Sequence, residues 1–448
     1  MTTTLKLSRL ALVALAAAAV GCSFDIQNPN TPDVIGENPS RSVVAATANG
    51  ILIATRADVA DWALDGGIFG REAYRFDGSD PRFTGEMMQG PLDPGSRAFG
   101  GDHWAEEYSA IRTANDLLAV IGTASALSAE EQSATSGFAH TLQAYNFLIV
   151  LDAHTQDSIP IDVGTDVNAP PAPFVSNAAA YAHVISLLDG AATELQAGGA
   201  AFPFPLPGGF SGFDSPATFR QFNRALRARV AVYLGDYTGA LAALGESFIN
   251  PGAPLSTGVY MDYSAGTGDF ANPLALDPVT GENVAHPSLG ARAQLQPGGE
   301  PDARLTAKVE TLPNVRTGGA PDVLSTDLGW IRYPSPNTPI PLIKNEELIL
   351  LRAEANIGLN NLGPAVTDID LVRTTSGGLA AYAGTVDQAS LLTELLYNKR
   401  YSLLFEGGHS WIDYRRYGRL ADLEGFDRPD DVIFTTLPIP TAEVQARQ

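Results

Sequence analysis

Proline falls unevenly along this chain, and that pattern constrains what it can fold into. Residues 246–341 hold 13 of the 31 prolines in 96 positions, whereas the 76 positions of 345–420 hold only Pro364. Proline lacks the amide donor that a helix interior needs, and its ring clashes with the preceding turn. The first stretch is therefore excluded from a helix bundle and is predicted to form long loops with short strands. A second irregular stretch, residues 66–101, sets Tyr74, Phe76, Phe83 and Phe99 among glycine, aspartate and proline. Loops of this kind, laid over a rigid scaffold, are where binding residues usually sit.

The rest reads as helices in pairs. Trp104, Tyr108, Ile111, Asn115 and Leu118 recur at steps of three or four, a helical stripe opening near Asp102. Ser128 and Glu131 form a capping-box pair ahead of Phe138, Leu142 and Tyr145. Ser176 can cap a third helix, and Ser215 followed by Pro216 a fourth. Residues 346–357 read as helical up to Gly358, Pro364 opens the next helix to about Thr374, and Thr385 with Gln388 reads as a capping box before 391–405. Residues 228–240 and 353–365 look alike: a small-residue helix, a Gly-containing turn, then a helix opening at alanine. Such hairpins resemble tetratricopeptide units, though their spacing fits no regular solenoid. The expected fold is mostly α, with irregular tetratricopeptide-like hairpins over about 41–245 and 342–448 and the loop-rich segment 246–341 on one side.

The N-terminus carries a separate signal. Lys6 and Arg9 precede an apolar run, residues 10–20, of 11 Leu, Ala or Val residues. That is too short to span a bilayer but suits a signal-peptide core. It ends in Ala19-Val20-Gly21-Cys22, which looks like a lipobox, so residues 1–21 are expected to be removed and Cys22, the only cysteine, lipidated. Residues 22–40 are polar and Pro/Asn-rich, which suits an extended tether. Beyond the leader no run reads as a transmembrane helix. The full chain has 28 basic and 50 acidic residues, net −22; without residues 1–21 it stands at 26 − 50 = −24. So acidic a chain argues against nucleic-acid partners.

Residues 398–418 carry the most specific pattern. Lys399-Arg400 end a helix, followed by Phe405-Glu406-Gly407, Trp411, Asp413, Arg415-Arg416 and Tyr417. This block resembles the C-terminal signature of the SusD/RagB family of outer-membrane nutrient-binding lipoproteins. Other segments resemble the family in order: Trp104 to Asn115, Ile159-Pro160, the Glu346-Glu347 helix, Leu371-Val372-Arg373 and the closing Leu437-Pro438-Ile439-Pro440. One departure is at His154, where the family has Tyr-Gly. The resemblance implies a lipid-anchored protein on the cell-surface side of the outer membrane. It would capture an oligosaccharide, or another large nutrient, and hand it to a SusC-like TonB-dependent transporter, with no cofactor and no catalysis.

The family supplies no fixed ligand motif, so candidate binding residues rest on chemistry and position. Sugar recognition needs flat aromatic faces beside planar polar groups. Trp104 and Trp411 lie on scaffold segments and read as core. Trp62 lies at the edge of an irregular region, while Tyr74-Arg75-Phe76 and Trp330 with Arg332 and Tyr333 combine aromatic and polar groups. Two other readings stand beside this one: a tetratricopeptide-like lipoprotein that binds proteins, and a surface glycoside hydrolase using Glu406 and Asp413. His103 with Glu106 or Glu107 has metal-like spacing, and Asp152, His154 and Asp157 could surround a cation; a solvated helix start and a polar turn explain them more simply. No phosphate-cradle or nucleophile-elbow motif occurs.

Overall fold

The computed structural model describes residues 35–95, 102–155, 158–166, 168–319 and 324–448. The expected anchor Cys22, together with Phe99 and Asp157, lies outside them. Ten helices of eight or more residues are described. They are α1 (Arg41–Phe69), α2 (Asp102–Ile121), α3 (Ala129–Ala153), α4 (Asn177–Gln196), α5 (Pro216–Tyr233), α6 (Tyr237–Gly245), α7 (Asn345–Gly358), α8 (Leu362–Thr375), α9 (Gln388–Ser402) and α10 (His409–Arg416). Each of α1 to α8 packs on the next, α9 packs on α7, α8 and α10, and α10 returns to α1.

The starts follow the local chemistry. Ser128 accepts from the Glu131 amide while the Glu131 carboxylate accepts from the Ser128 amide, which satisfies two of the donors that open α3. Ser215 and Thr218 cap α5 in the same reciprocal way, and Ser176 caps α4 by accepting from the Ala179 amide. Two expectations shift. The cap of α9 is Asp387, which accepts from the Ser390 amide at 2.8 Å, and the helix stops at Ser402, three residues before Phe405 takes a left-handed φ of 60°. The helix carrying Pro364 begins at Leu362, two residues early, since proline is tolerated in a first turn.

Trp62 was expected beside irregular chain; it lies inside α1, whose 29 residues were not read as one helix. By length and composition α1 could cross a membrane, contrary to the sequence reading. Its buried face, from Val44 to Phe69, instead packs against the surrounding helices as part of the core. The two similar hairpins are present and touch: Gly358, at the end of α7, lies against the ring of Tyr237, at the start of α6. A Cβ at Gly358 would stand 2.1 Å from that ring, so the approach requires glycine.

The proline-rich segment holds short strands, as expected, and also short helical turns at Ser288–Ala291 and Ala303–Thr306. β1 (Ala73–Arg75), β3 (Asn283–Ala285), β5 (Leu324–Trp330) and β4 (Val309–Gly318) form an antiparallel sheet in the order β1-β3-β5-β4. Registers run Tyr74 to Val284, Val284 to Gly329 and Val309 to Trp330. β2 (Gly258–Met261) pairs with β6 (Ile340–Lys344), which is wholly buried and runs directly into α7. The loop-rich segment is thus fastened twice, to the chain leaving α1 and to the start of α7.

Candidate ligand-binding face

The tail block is an internal lock. Glu406 is buried and ion-paired with Lys344 at 2.7 Å, Arg332 at 3.0 Å and Lys308 at 3.2 Å. Burial alone would push its carboxyl up; the three cations outweigh burial and hold it well below the ordinary carboxylate range. Asp413 sits in a separate network, with Lys399 at 2.7 Å and Arg416 at 2.8 Å. Glu354 joins the same two cations and accepts from the Tyr417 hydroxyl at 2.7 Å. A glycosidase needs one carboxyl held protonated and both facing the substrate. Glu406 is held ionised by its three cations, and both Glu406 and Asp413 are buried in ion pairs.

Several expected ligand residues serve this lock. Trp330 stacks on Phe405 with centroids 4.3 Å apart and planes 10° from parallel. The Tyr333 hydroxyl donates to the Phe405 carbonyl at 2.7 Å, and Arg332 is held by Glu406. Trp330 and Tyr333 are 4% and 3% exposed, so neither ring offers a face to a sugar. Trp62 packs edge-on to His103 and against Trp411. Tyr74 is fully buried, its hydroxyl donating to Asp427 at 2.6 Å. In this structure Trp62, Tyr74, Trp330, Arg332 and Tyr333 are taken up in packing, hydrogen bonds and an ion pair. An aromatic ring in a proline-rich stretch buries more apolar surface against the scaffold than in solvent, roughly 1.5–3 kcal/mol for a ring of this size.

What remains at the surface is the chain just past β1. Arg75 and Phe76 are half-buried. The Arg75 guanidinium lies 4.4 Å from the centroid of the Phe83 ring and pairs with Asp77 at 3.0 Å and Glu282 at 2.9 Å. Phe76 stacks on Tyr74 at 5.5 Å and rests against Gly318 of β4. Asp77 accepts from the Ser79 hydroxyl and from the Ser79 and Asp80 amides, which fixes the turn. Those bonds hold its carboxyl below the usual range. Arg82 pairs with Asp80 at 2.7 Å and is 46% exposed at its side chain. Aromatic planes, a guanidinium and carboxylates thus share one edge of the sheet. Sequence reasoning chose Arg75 and Phe76, named Phe83 only as a loop aromatic and passed over Glu282; Glu282 is 207 residues from Arg75, and only the β1–β3 pairing joins them.

The metal-like spacings resolve differently. His103 Nδ1 faces Asp58 at 2.8 Å and Nε2 faces Asp65 at 3.2 Å. Burial would lower its pKa, and the two carboxylates raise it well above the ordinary value. His154 Nδ1 donates to the Leu437 carbonyl at 3.0 Å, and burial pushes Asp152 up to about 7. Among the described residues no group of three potential ligands is placed to hold a metal.

No known sequence family and no curated protein matches the chain. Solved structures do. A SusD-like carbohydrate-binding protein from Bacteroides fragilis aligns with a TM-score of 0.70 at 16% identity, over 91% of this chain and 98% of its own. A laminarin-binding SusD-like protein aligns at 0.66 and 16% identity, over 91% and 98%. A SusD-superfamily protein from Bacteroides vulgatus aligns at 0.67 and 14% identity, over 91% and 97%.

Proposed function

We propose that this chain, which has the fold of the SusD superfamily, is a saccharide-binding protein that captures its ligand without altering it. The observation that carries this reading is the fold likeness, which spans nine-tenths of the chain and includes proteins named for carbohydrate and laminarin binding. The half-buried edge at Arg75, Phe76 and Phe83 supports it, since a pyranose presents an apolar C–H face to a ring and hydroxyls to planar polar groups. The ion-paired, buried Glu406 and Asp413 favour capture over hydrolysis. In the same reading Cys22 is the lipid anchor, the protein stands on the outer membrane, and its partner is a TonB-dependent barrel.

Calorimetric titration with neutral oligosaccharides, with product analysis on the same samples, tests the reading. Saturable binding with no new reducing ends is expected. Released sugar, or no binding to any saccharide while a protein partner co-purifies, contradicts it. Replacing Cys22 with serine should move the protein from the membrane fraction to the soluble one.

A further inference from the structure

A second surface, separate from the Arg75–Phe83 edge, has the form of a ligand site. An open cleft of about 510 Å³ lies between α1 and the loop that follows β2. Its polar lining includes Asn49, Arg56, Asp262, Thr267 and Asp269. Arg56 pairs with Asp269 at 2.7 Å and donates to the Asp262 carbonyl at 3.1 Å, which holds the guanidinium in place. That guanidinium lies 5.9 Å from the ring centroid of Tyr263 and 5.3 Å from that of Phe270.

Two observations argue for an occupant. Phe270 is 64% exposed, the most exposed aromatic ring among the described residues, and it follows Asp269 of the lining with Arg56 5.3 Å from its ring centroid. The Tyr263 hydroxyl, on a residue 6% exposed that lines the cleft, is buried and has no hydrogen-bond partner among the described residues. A buried hydroxyl without a partner costs free energy, and an occupant of the cleft would satisfy this one through a bridging water. Asp262 also borders a neighbouring cleft of about 340 Å³ lined by Ser211 and Tyr260, so the two share one wall and could follow an extended molecule.

We propose that this cleft is a second saccharide site, taking a neutral, polyhydroxylated chain across Phe270 and Tyr263. Its class follows from the lining. The charge of Arg56 is already answered by Asp269, and Asp262 adds a further carboxylate, so an anionic sugar would be repelled. Two carboxylates alone do not form a metal site. The proposal rests on the saccharide-binding reading given above but not on its choice of face.

The test is calorimetry on the intact chain with laminarihexaose, maltohexaose and chitohexaose as neutral probes and a hexagalacturonate as the anionic one. Phe270→Ala removes the exposed ring, and Thr267→Trp fills the cleft at an exposed position; thermal unfolding checks that both variants fold. A neutral hexaose is expected to show two sites, one lost in both variants and kept in Phe83→Ala, with no uptake of hexagalacturonate there. One site lost in Phe270→Ala and kept in Phe83→Ala also supports the cleft. Binding unchanged by Phe270→Ala and Thr267→Trp overturns this proposal alone. Absence of binding to every saccharide overturns it together with the parent reading.

Discussion

Gly66 of α1 and Gly408 of the turn before α10 meet backbone to backbone. A Cβ built on Gly66 would lie 2.5 Å from the Gly408 Cα. Gly408 itself holds a left-handed φ of 68°, which a side chain disfavours. The C-terminal block is therefore seated directly on the first helix, and the closure of α10 onto α1 depends on two missing side chains. Around that contact Phe405, Trp330 and Trp411 fill the core, and Glu406 collects three cations.

Gly66→Ala should destabilise the fold by at least about 2 kcal/mol, because the new methyl meets backbone that cannot move aside. The check is a urea melt, in which the midpoint falls. An unchanged midpoint would mean that the turn and the helix are not in contact.

Glu406→Gln leaves buried Lys308 and half-buried Arg332 without this counter-charge, and Lys344 with only Glu346 at 3.8 Å. Breaking a buried ion pair from one side costs about 3–5 kcal/mol. The thermal midpoint should drop sharply, and the residual folded protein should still bind ligand. A fall in sugar release with no loss of stability would instead revive the hydrolase reading.

Tyr74→Phe separates buried from exposed roles. The variant loses a hydrogen bond to Asp427, which Arg71 and His286 also hold, and should cost about 1.5–3 kcal/mol. Saccharide affinity should not change. A weaker binding constant at unchanged stability would restore Tyr74 to the site.

Stability should carry a pH signature from Glu72. Burial pushes its carboxyl up to about 7 from 4.5, while the Phe405 amide donates to it and Arg400 and Lys308 pull it back. A raised carboxyl binds its proton more tightly in the folded state. Its contribution is present below about 4.5 and is lost as pH rises through 7. Glu72→Gln keeps an acceptor for the Phe405 amide and never ionises. Relative to the parent chain it should gain up to about 3 kcal/mol between pH 4.5 and 8, measured by denaturant melts at both values. A pH-independent difference would show that Glu72 titrates normally.

The helical scaffold was legible because its signals are local. Ser128, Ser176 and Ser215 announce their helices within a turn, and the proline census marks where helices cannot run. The reach of α1 was hidden by glycines inside it, of which Gly66 and Gly67 serve close packing against Gly408 and Phe405. The site was harder, since composition does not tell which face of a loop aromatic is inward. In β5 an alternation was available: Leu324, Thr326 and Trp330 share the inward face, so Trp330 could have been placed in the core. No comparable signal joins Arg75 to Glu282 or Arg56 to Asp269, because those pairs exist only once distant strands and loops are folded together.

The central claim is that this fold holds a saccharide on the half-buried aromatic edge at Arg75, Phe76 and Phe83. The most direct measurement is calorimetric titration of Phe83→Ala beside the parent chain with a neutral hexasaccharide that the parent binds. The account predicts roughly 5- to 30-fold weaker binding at that site, in line with about 1–2 kcal/mol for one ring face, in a variant that a thermal melt shows to be folded. Equal affinity in the two proteins would contradict it.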